Sequence, residues 1–216
     1  MEAGKLEQLK AKVAEAARAL VERGLNRATA GNVSLRVDGG FLVTPSGIPA
    51  LSLRPEQIVQ VDMDGGWSGP LKPSSEWRMH RDIYATRAEA GAVIHTHSDH
   101  ATALACLGEP IPAFHYMVAV AGGEIIDCAP YATFGSEELS RNMLRALGNR
   151  RAALLAHHGV IVHGRGLDEA LMLAEEVEGL ARQYILARAI GRPHALPEGE
   201  MAHVLKLFSG YGQKES

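Results

Sequence analysis

Residues 91–100, GAVIHTHSDH, form an apolar run that ends in two histidines separated by one residue. Ala92 to Ile94 are residue types favoured in β-strands, and a strand points alternate side chains to opposite faces. His95 and His97 therefore share one face of the predicted strand. On a helix the same pair would diverge by about 200°, so the strand favours a compact two-histidine metal site. An isolated pair with this spacing is equally often just two polar residues at a strand end.

The composition is that of an ordinary globular protein, with 216 residues, 46% of them hydrophobic and 22% charged. This length can bury a sizeable core, so we expect one domain over residues 1–216. The net charge is −3 and the basic residues do not cluster, which argues against nucleic acid or an anionic membrane as a partner. No segment reaches the ~18 apolar residues of a membrane span, and the N-terminus does not resemble a signal peptide. We therefore expect a cytoplasmic protein.

The spacing of apolar residues predicts mixed secondary structure. Helices are expected at 2–23, 75–87, 99–107, 136–147, 168–190 and 198–208, followed by a loose tail. Strands are expected at 33–37, 41–44, 58–61, 92–94, 111–120, 124–128, 152–156 and 160–163. The early hairpin and the later strand–helix alternation favour an α/β fold with a central, mostly antiparallel sheet flanked by helices. The glycine-rich motifs of nucleotide-binding folds are absent.

A second pair of histidines, His157 and His158, follows the strand predicted at 152–156. Adjacent residues of a strand face opposite ways, so spacing leaves open which of the two could join His95 and His97. Glu76, in the first turn of the helix predicted after Ser75, is the best placed carboxylate. Three histidines and a glutamate would form a four-coordinate zinc site. A first-turn carboxylate is also favoured simply by the helix dipole.

Three turns of small residues could bind an anion without any cation. They offer backbone N–H groups, hydroxyls or an amide, and one stands at a predicted helix start. Each of these turns taken alone is more often only a turn. The three are Gly31-Asn32, Ser46-Gly47 and Ser74-Ser75.

Seven short motifs carry a resemblance to a known family. In chain order they are AGNVS at 30–34, VTPSGIP at 43–49, PSSEWR at 73–78, HTH at 95–97, HYMVAVAGG at 115–123, CAPYATFG at 128–135 and HHG at 157–159. Together they resemble the class II aldolase/adducin family, and within it the L-fuculose-phosphate aldolases. The resemblance extends over nearly the whole chain, with the motifs in the family's order and spacing.

This resemblance implies a three-layer α/β/α, class II aldolase-like fold and a metal-dependent aldolase with one Zn²⁺ per subunit. The implied reaction cleaves L-fuculose 1-phosphate, or a similar ketose 1-phosphate, reversibly to dihydroxyacetone phosphate and L-lactaldehyde through an enediolate. It also implies a homotetramer with active sites at the subunit interfaces. By motif position the metal ligands are Glu76, His95, His97 and His158, which favours the second histidine of the adjacent pair.

The same resemblance assigns the remaining site residues. Glu76 would leave the metal and act as general acid/base, and Tyr116 would reach the site of a neighbouring subunit to protonate the aldehyde oxygen. The aldehyde pocket would be lined by Phe134, Phe208 and Tyr211. The phosphate of the substrate would be bound by Thr29, Asn32, Ser46, Gly47, Ser74 and Ser75.

The chemistry favours a metal independently of the family. Cleavage of a carbon–carbon bond beside a ketone leaves negative charge that either a Lewis acid or a lysine Schiff base must accept. Among the lysines only Lys72 lies in the predicted body of the fold, in a loop. The six lysines are Lys5, Lys10, Lys12, Lys72, Lys206 and Lys214.

The resemblance is compatible with three other functions. The first is a decarboxylase of keto-acid sugar phosphates of the 3-oxo-tetronate 4-phosphate type, the second a sugar-phosphate 4-epimerase, and the third a non-catalytic, adducin-like binding module. The glutamate at position 76 and the HYM sequence at 115–117 resemble the aldolases rather than the epimerases, so the decarboxylase is the stronger alternative. A binding module should have lost metal ligands, whereas every matched ligand is present here.

Overall fold

The computed structural model describes residues 3–209, and the side chains of 4–208. Within this range the helices are α1 (Ala3–Glu22), α2 (Trp77–Thr86), α3 (Asp99–Cys106), α4 (Glu137–Leu147), α5 (Leu167–Ile190) and α6 (Glu200–Ser209). The strands are β1 (Asn32–Val37), β2 (Gly40–Val43), β3 (Val59–Asp62), β4 (Ala92–Thr96), β5 (Cys128–Ala129), β6 (Ala152–Leu155) and β7 (Gly159–Gly164). None of these helices is long and apolar enough to cross a membrane.

The strands form one sheet in the order β3-β2-β1-β4-β7-β6-β5. Every pairing is antiparallel except that of β5 with β6, which is parallel. The central strand β4 therefore has β1 on one side, with Asn32 opposite His95, and β7 on the other, with Ile161 opposite His95. The prediction of a mostly antiparallel sheet flanked by helices is confirmed.

The two faces of the sheet pack against different helices, which gives three layers. Ala92 and Ile94 of β4 face a core that includes buried residues of α1, α3 and α5. Val93, between them, faces the second core, which includes buried residues of α2 and α4. Full burial of a side chain such as Val93 or Ile94 stabilises the fold by roughly 1.5–3 kcal/mol. His95 and His97 follow the alternation of Val93 and so lie on the α2 side of the sheet.

Two predicted strands differ from the structure. Over 111–120 only Ile111 forms an isolated bridge, to Ile126, and residues Tyr116–Ala121 form a 3₁₀-helix. Pro112 has no N–H to donate to a ladder, and the ring of His115 instead caps the 3₁₀-helix by accepting a hydrogen bond from the N–H of Met117. The strand predicted at 124–128 is reduced to Cys128–Ala129, because its preceding residues pair only at Ile126.

The helix predicted from Ser75 begins two residues later. The N–H of Ser74 donates to the carbonyl oxygen of Thr44, which ties this segment to the end of β2, and α2 starts at Trp77. Glu76 is therefore the residue that precedes the helix rather than a member of its first turn. The predicted tail and Tyr211 lie outside the described residues, as does the predicted helix start at residue 2.

Candidate active site

Four side chains from three separate parts of the chain meet beside the end of β4. His95 is in β4, His97 follows it by two residues, Glu76 precedes α2, and His158 lies in the tight turn between β6 and β7. One ligand atom from each residue lies within 4.8 Å of the others. The sheet order brings this about, because β4 and β7 are neighbours and β7 begins directly after His158.

The distances within this cluster are short. Nε2 of His95 lies 2.9 Å from Nε2 of His97 and 3.3 Å from Oε2 of Glu76. Nε2 of His158 lies 2.9 Å from Oε1 of Glu76. The three imidazole rings are mutually edge-on, with centroids 4.7–5.0 Å apart. Three ring nitrogens and a carboxylate oxygen thus converge on one point, and this donor set is typical of zinc.

The tautomer of His95 is fixed by the sheet. Its Nδ1 lies 2.9 Å from the carbonyl oxygen of Val160, which can only accept, so Nδ1 carries the hydrogen and Nε2 has a free lone pair. Burial lowers the pKa of His95 to about 3 and also lowers the pKa of His97. Both rings are therefore neutral at physiological pH, which is the state that binds a metal ion.

The carboxylate of Glu76 is buried and partly unsatisfied. Its Oε2 accepts a hydrogen bond of 2.9 Å from Nδ2 of Asn32, whereas Oε1 accepts no well-directed hydrogen bond from any described residue. Burial alone would raise the pKa of Glu76, but His95, His158 and Asn32 outweigh it and hold the pKa well below its usual range. A buried carboxylate with an unsatisfied oxygen, grouped with nitrogens of three imidazole rings, fits a divalent cation, so these four residues can bind a metal.

The backbone separates the two adjacent histidines. His157 adopts a left-handed conformation with φ of 55° and is exposed, while His158 turns into the cluster. A non-glycine residue in this conformation is strained, and such strain is commonly found at functional sites. At the next position, a Cβ on Gly159 would lie 2.3 Å from the carbonyl oxygen of Thr96, so only glycine fits there.

A cleft of about 310 Å³ opens over the cluster. The structure brings all six predicted phosphate-binding residues into its lining, together with Glu76, His97 and His158. Two of the predicted turns are joined by an isolated bridge between Pro45 and Pro73. The cleft is lined by Thr29, Ala30, Gly31, Asn32, Pro45, Ser46, Gly47, Ser74, Ser75, Glu76, His97, Tyr131, Ala132, Phe134, His157 and His158. No lysine or arginine is among these lining residues.

The predicted aldehyde-end residues lie in different places. Phe134 is exposed at the cleft. Tyr116 is half exposed and lines a separate apolar groove with Phe208, so within one subunit it does not reach the cluster. The groove is formed by Tyr116, Met117, Val204, Leu207 and Phe208. Tyr211 lies outside the described residues.

Sequence reasoning missed several residues of this site. Asn26 holds the chain after β4, because its Oδ1 accepts a hydrogen bond of 2.9 Å from the N–H of His97. Tyr131 lines the cleft next to His157, with ring centroids 6.0 Å apart. His80 lies behind Asn32, with its Nε2 2.5 Å from Oδ1 of Asn32. Asn26 had no sequence signal, but Tyr131 stands within the CAPYATFG motif.

Residues 11–185 match the family described as Class II Aldolase and Adducin N-terminal domain. The chain belongs to this family. The family recognised from the seven motifs is thereby confirmed, and the protein is a class II aldolase with a four-residue cluster that can bind a metal.

Similar proteins support this membership in detail. A 5-methylthioribulose-1-phosphate/5-deoxyribulose-1-phosphate aldolase of Rhodospirillum rubrum is 56% identical over 198 residues, covering 92% of this chain and 90% of that protein. An L-fuculose phosphate aldolase of Escherichia coli K12 is 50% identical over 190 residues, covering 88% of each chain. A solved L-fuculose 1-phosphate aldolase superposes with a TM-score of 0.90 at 41% identity, covering 94% of this chain and 96% of the other. This class II aldolase therefore resembles enzymes named for more than one sugar phosphate.

Proposed function

We propose that the protein is a Zn²⁺-dependent aldolase that reversibly cleaves a ketose 1-phosphate to dihydroxyacetone phosphate and a short aldehyde. One observation carries the proposal. Glu76 and three histidines converge at the base of a cleft whose walls are turns suited to a phosphate. A sugar phosphate bound by these turns would have its ketone end beside the four-residue cluster.

The metal would be held by Glu76, His95, His97 and His158. The cluster favours Zn²⁺ because imidazole nitrogens and one carboxylate in a four-residue site are its usual ligands. A bound cation would supply Lewis-acid stabilisation of the negative charge that develops at the ketone when the carbon–carbon bond breaks. Within the described residues the cleft has no lysine that could form a Schiff base in its place.

The phosphate group would be bound by hydrogen bonds from neutral groups. Ser46, Ser74 and Ser75 supply hydroxyls, and Gly47 leaves its backbone N–H accessible because it has no side chain. Asn32 contributes an amide that already donates to Glu76. Thr29 lines the same wall of the cleft. This binding would orient the ketone end of the substrate and keep it in register with the cluster.

Glu76 would move the proton at carbon 3 of the ketose. During cleavage the hydroxyl at carbon 4 loses its proton, the bond between carbons 3 and 4 breaks, and its electrons pass to the ketone. Carbon 3 then takes a proton from the carboxyl group of Glu76, which yields dihydroxyacetone phosphate. In synthesis Glu76 removes that proton instead, as a general base.

Tyr116 would handle the proton on the aldehyde oxygen, at the active site of a neighbouring subunit. Its exposed position in the groove that contains Phe208 is consistent with a subunit interface. The proposal therefore includes a homotetramer whose active sites lie between subunits. In cleavage the phenolate would accept the hydroxyl proton, and in synthesis the phenol would return it.

For the substrate we favour 5-deoxyribulose 1-phosphate and 5-methylthioribulose 1-phosphate, because the Rhodospirillum rubrum relative carries those names and is 56% identical. Cleavage would give acetaldehyde or methylthioacetaldehyde. L-Fuculose 1-phosphate is the second candidate, supported by the Escherichia coli relative and by the fold similarity. It would give L-lactaldehyde. These aldehydes differ by groups worth only about 1–3 kcal/mol in an apolar pocket, so one enzyme can accept several.

The test is synthesis from dihydroxyacetone phosphate by the zinc-loaded protein with each of the three aldehydes. We expect product with all three, the highest kcat/KM with acetaldehyde or methylthioacetaldehyde, and loss of activity with a chelator. Glu76→Gln should lower kcat by at least about 100-fold. Failure with every aldehyde, together with CO₂ release from a keto-acid phosphate or inversion at carbon 4 of a pentulose phosphate, would assign the protein to the decarboxylases or epimerases.

A further inference from the structure

A line of buried polar groups leads from Glu76 into the core between β1 and α2. Oε2 of Glu76 is 2.9 Å from Nδ2 of Asn32, and Oδ1 of Asn32 is 2.5 Å from Nε2 of His80. Nδ1 of His80 is 2.6 Å from Oγ of Ser34, which lies 2.7 Å from the hydroxyl of Tyr84. All five residues are buried. We call these residues the Glu76–Tyr84 chain.

Two sequence periods build this chain. Asn32 and Ser34 are two residues apart on β1, so both point to the same face of the sheet. Glu76, His80 and Tyr84 are four residues apart at the start of α2 and along it, so they follow one face of the helix. The strand and the helix therefore contribute alternate members, as two rows that interlock.

The direction of every hydrogen bond in the chain follows from its first member. A carboxylate can only accept, so the Nδ2 group of Asn32 donates to Glu76, and the Oδ1 of Asn32 must face the other way as an acceptor. Nε2 of His80 must then carry the hydrogen, which leaves Nδ1 of His80 as an acceptor. In a neutral ring this assigns the Nε2–H tautomer.

The hydrogen bonds made by Ser34 and Tyr84 have the same donor-to-acceptor direction. Since Nδ1 of His80 accepts, the hydroxyl of Ser34 donates to it, and the hydroxyl of Tyr84 donates to Ser34. Burial lowers the pKa of His80 to about 4 and raises the pKa of Tyr84, so both groups stay neutral at physiological pH. Each hydrogen bond of the Glu76–Tyr84 chain therefore has one defined donor and one defined acceptor, and none of these roles can be exchanged.

We propose that His80 is a positioning residue, which fixes the amide of Asn32 so that its NH₂ group faces Glu76 and the cleft. One hydrogen of that group holds the catalytic carboxylate, and the other is free for an anionic substrate group in the cleft. With the amide reversed, Oδ1 would lie against the carboxylate and the two acceptors would repel each other. This inference rests on the proposed function of Glu76 and Asn32, and it deepens that function.

The first experiment reads the tautomer directly and needs no substrate. In zinc-loaded protein labelled with ¹⁵N-histidine, we expect a pyrrole-like Nε2 and a pyridine-like Nδ1 for His80. The signals of His80 are identified as those missing from the His80→Gln protein. An Nδ1–H tautomer, or a ring that exchanges between the two forms, would overturn the proposal even if the enzyme is a fully active aldolase.

The second experiment uses a matched pair of substitutions. The amide of Gln in His80→Gln can reach the position of Nε2 and donate to Asn32, whereas the shorter side chain in His80→Asn reaches only the position of Nδ1, near Ser34. At full zinc occupancy we expect His80→Asn to lose about 10–100-fold in kcat, as outer partners of metal sites do. His80→Gln should stay within about 5-fold of wild type.

The outcomes of the second experiment separate positioning from folding. Equal kcat in His80→Gln and His80→Asn would overturn the proposal. Should either variant fail to fold, Ser34→Ala takes its place. It removes the donor to Nδ1 but leaves Glu76 and Asn32 unchanged, so His80 should keep its Nε2–H tautomer in the ¹⁵N spectrum. A switch to the Nδ1–H tautomer in Ser34→Ala would show that Ser34 rather than Asn32 sets the tautomer, against the derived direction. A wild-type protein without aldolase activity would contradict the proposed function and leave the tautomer result standing.

Discussion

Nδ1 of His95 donates a hydrogen bond of 2.9 Å to the carbonyl oxygen of Val160, across the pairing of β4 with β7. The same two strands are joined by their own backbone ladder, so the ring of His95 is held by the sheet rather than by a loop. Its free Nε2 consequently points at Glu76 and His97 in a fixed direction. The position of His95 in the cluster is thus a property of the fold core.

The two adjacent histidines should differ in metal binding. His158→Asn removes a nitrogen from the cluster, whereas His157→Asn leaves the cluster intact and keeps a residue that tolerates the left-handed backbone. Loss of an outer partner costs about 10–100-fold in metal affinity, so loss of a ligand should cost at least that much. Competition with a zinc chelator measures both affinities, and equal affinities would show that His158 is not a ligand.

Tyr116 should act at the site of another subunit. Tyr116→Phe and His158→Asn should each be nearly inactive alone, but mixed subunits should regain activity because some sites would combine an intact cluster with an intact Tyr116 from the neighbour. The measurement is activity after joint refolding, with the hybrid species counted by native mass spectrometry. Inactive hybrids would contradict the proposed role of Tyr116. A fully active monomer would contradict it as well.

The cleft should be sensitive to added negative charge. Ser75→Asp places a carboxylate among the proposed phosphate-binding residues, and repulsion of about 1 kcal/mol or more between close charges should raise KM for dihydroxyacetone phosphate at least about 5-fold. Ser68→Asp is the matched control, because Ser68 is exposed and does not line the cleft. Steady-state kinetics measure KM for both variants. A similar KM in the two would show that Ser75 is not part of the phosphate site.

His163 should make the fold less stable in mild acid. It is buried, and burial lowers its pKa below the ordinary value of 6.5. As pH falls through 6.5 the unfolded chain takes up a proton that the folded protein still excludes, so the free energy of unfolding decreases. One histidine contributes at most about 1.4 kcal/mol per pH unit.

The variant His163→Leu should therefore show a smaller decrease than wild type between pH 7.5 and 5.5, as measured by urea unfolding. Other buried histidines contribute equally to both proteins, so only the difference between the two curves reports on His163. Parallel curves would mean that His163 titrates normally in the folded state.

The periodicity of apolar residues in the sequence predicted the central strand and the long helix α5 correctly. The alternation that ends in His95 and His97 identified the central strand, and the apolar spacing at 168–190 gave α5 to within one residue. The strand predicted at 111–120 was wrong because Pro112 and the cap by His115 act against the apolar run. Such competition between local hydrogen bonds and hydrophobicity is difficult to weigh from sequence.

The candidate site was harder to predict from sequence than the fold, because its residues meet through contacts between distant parts of the chain. Spacing alone did not distinguish His157 from His158, because the left-handed backbone at His157 is set by the turn between β6 and β7. The Glu76–Tyr84 chain did leave a signal, since Glu76, His80 and Tyr84 repeat every four residues. Its partners Asn32 and Ser34 lie more than forty residues away, at separations of 44 to 50 residues along the four hydrogen bonds. That distance hides the pairing from any local pattern.

Two kinds of backbone form the cleft, regular secondary structure and turns. The four residues that can bind a metal lie in or directly beside paired strands and the start of a helix, while the other walls of the cleft come from segments near residues 29–32, 45–47, 73–75 and 131–134. Turns accept exchange of side chains more readily than a strand ladder does. A scaffold organised this way can be retuned from one sugar to another by remodelling its rim, with the reactive centre left intact, which makes it a practical starting point for engineered carbon–carbon bond synthesis.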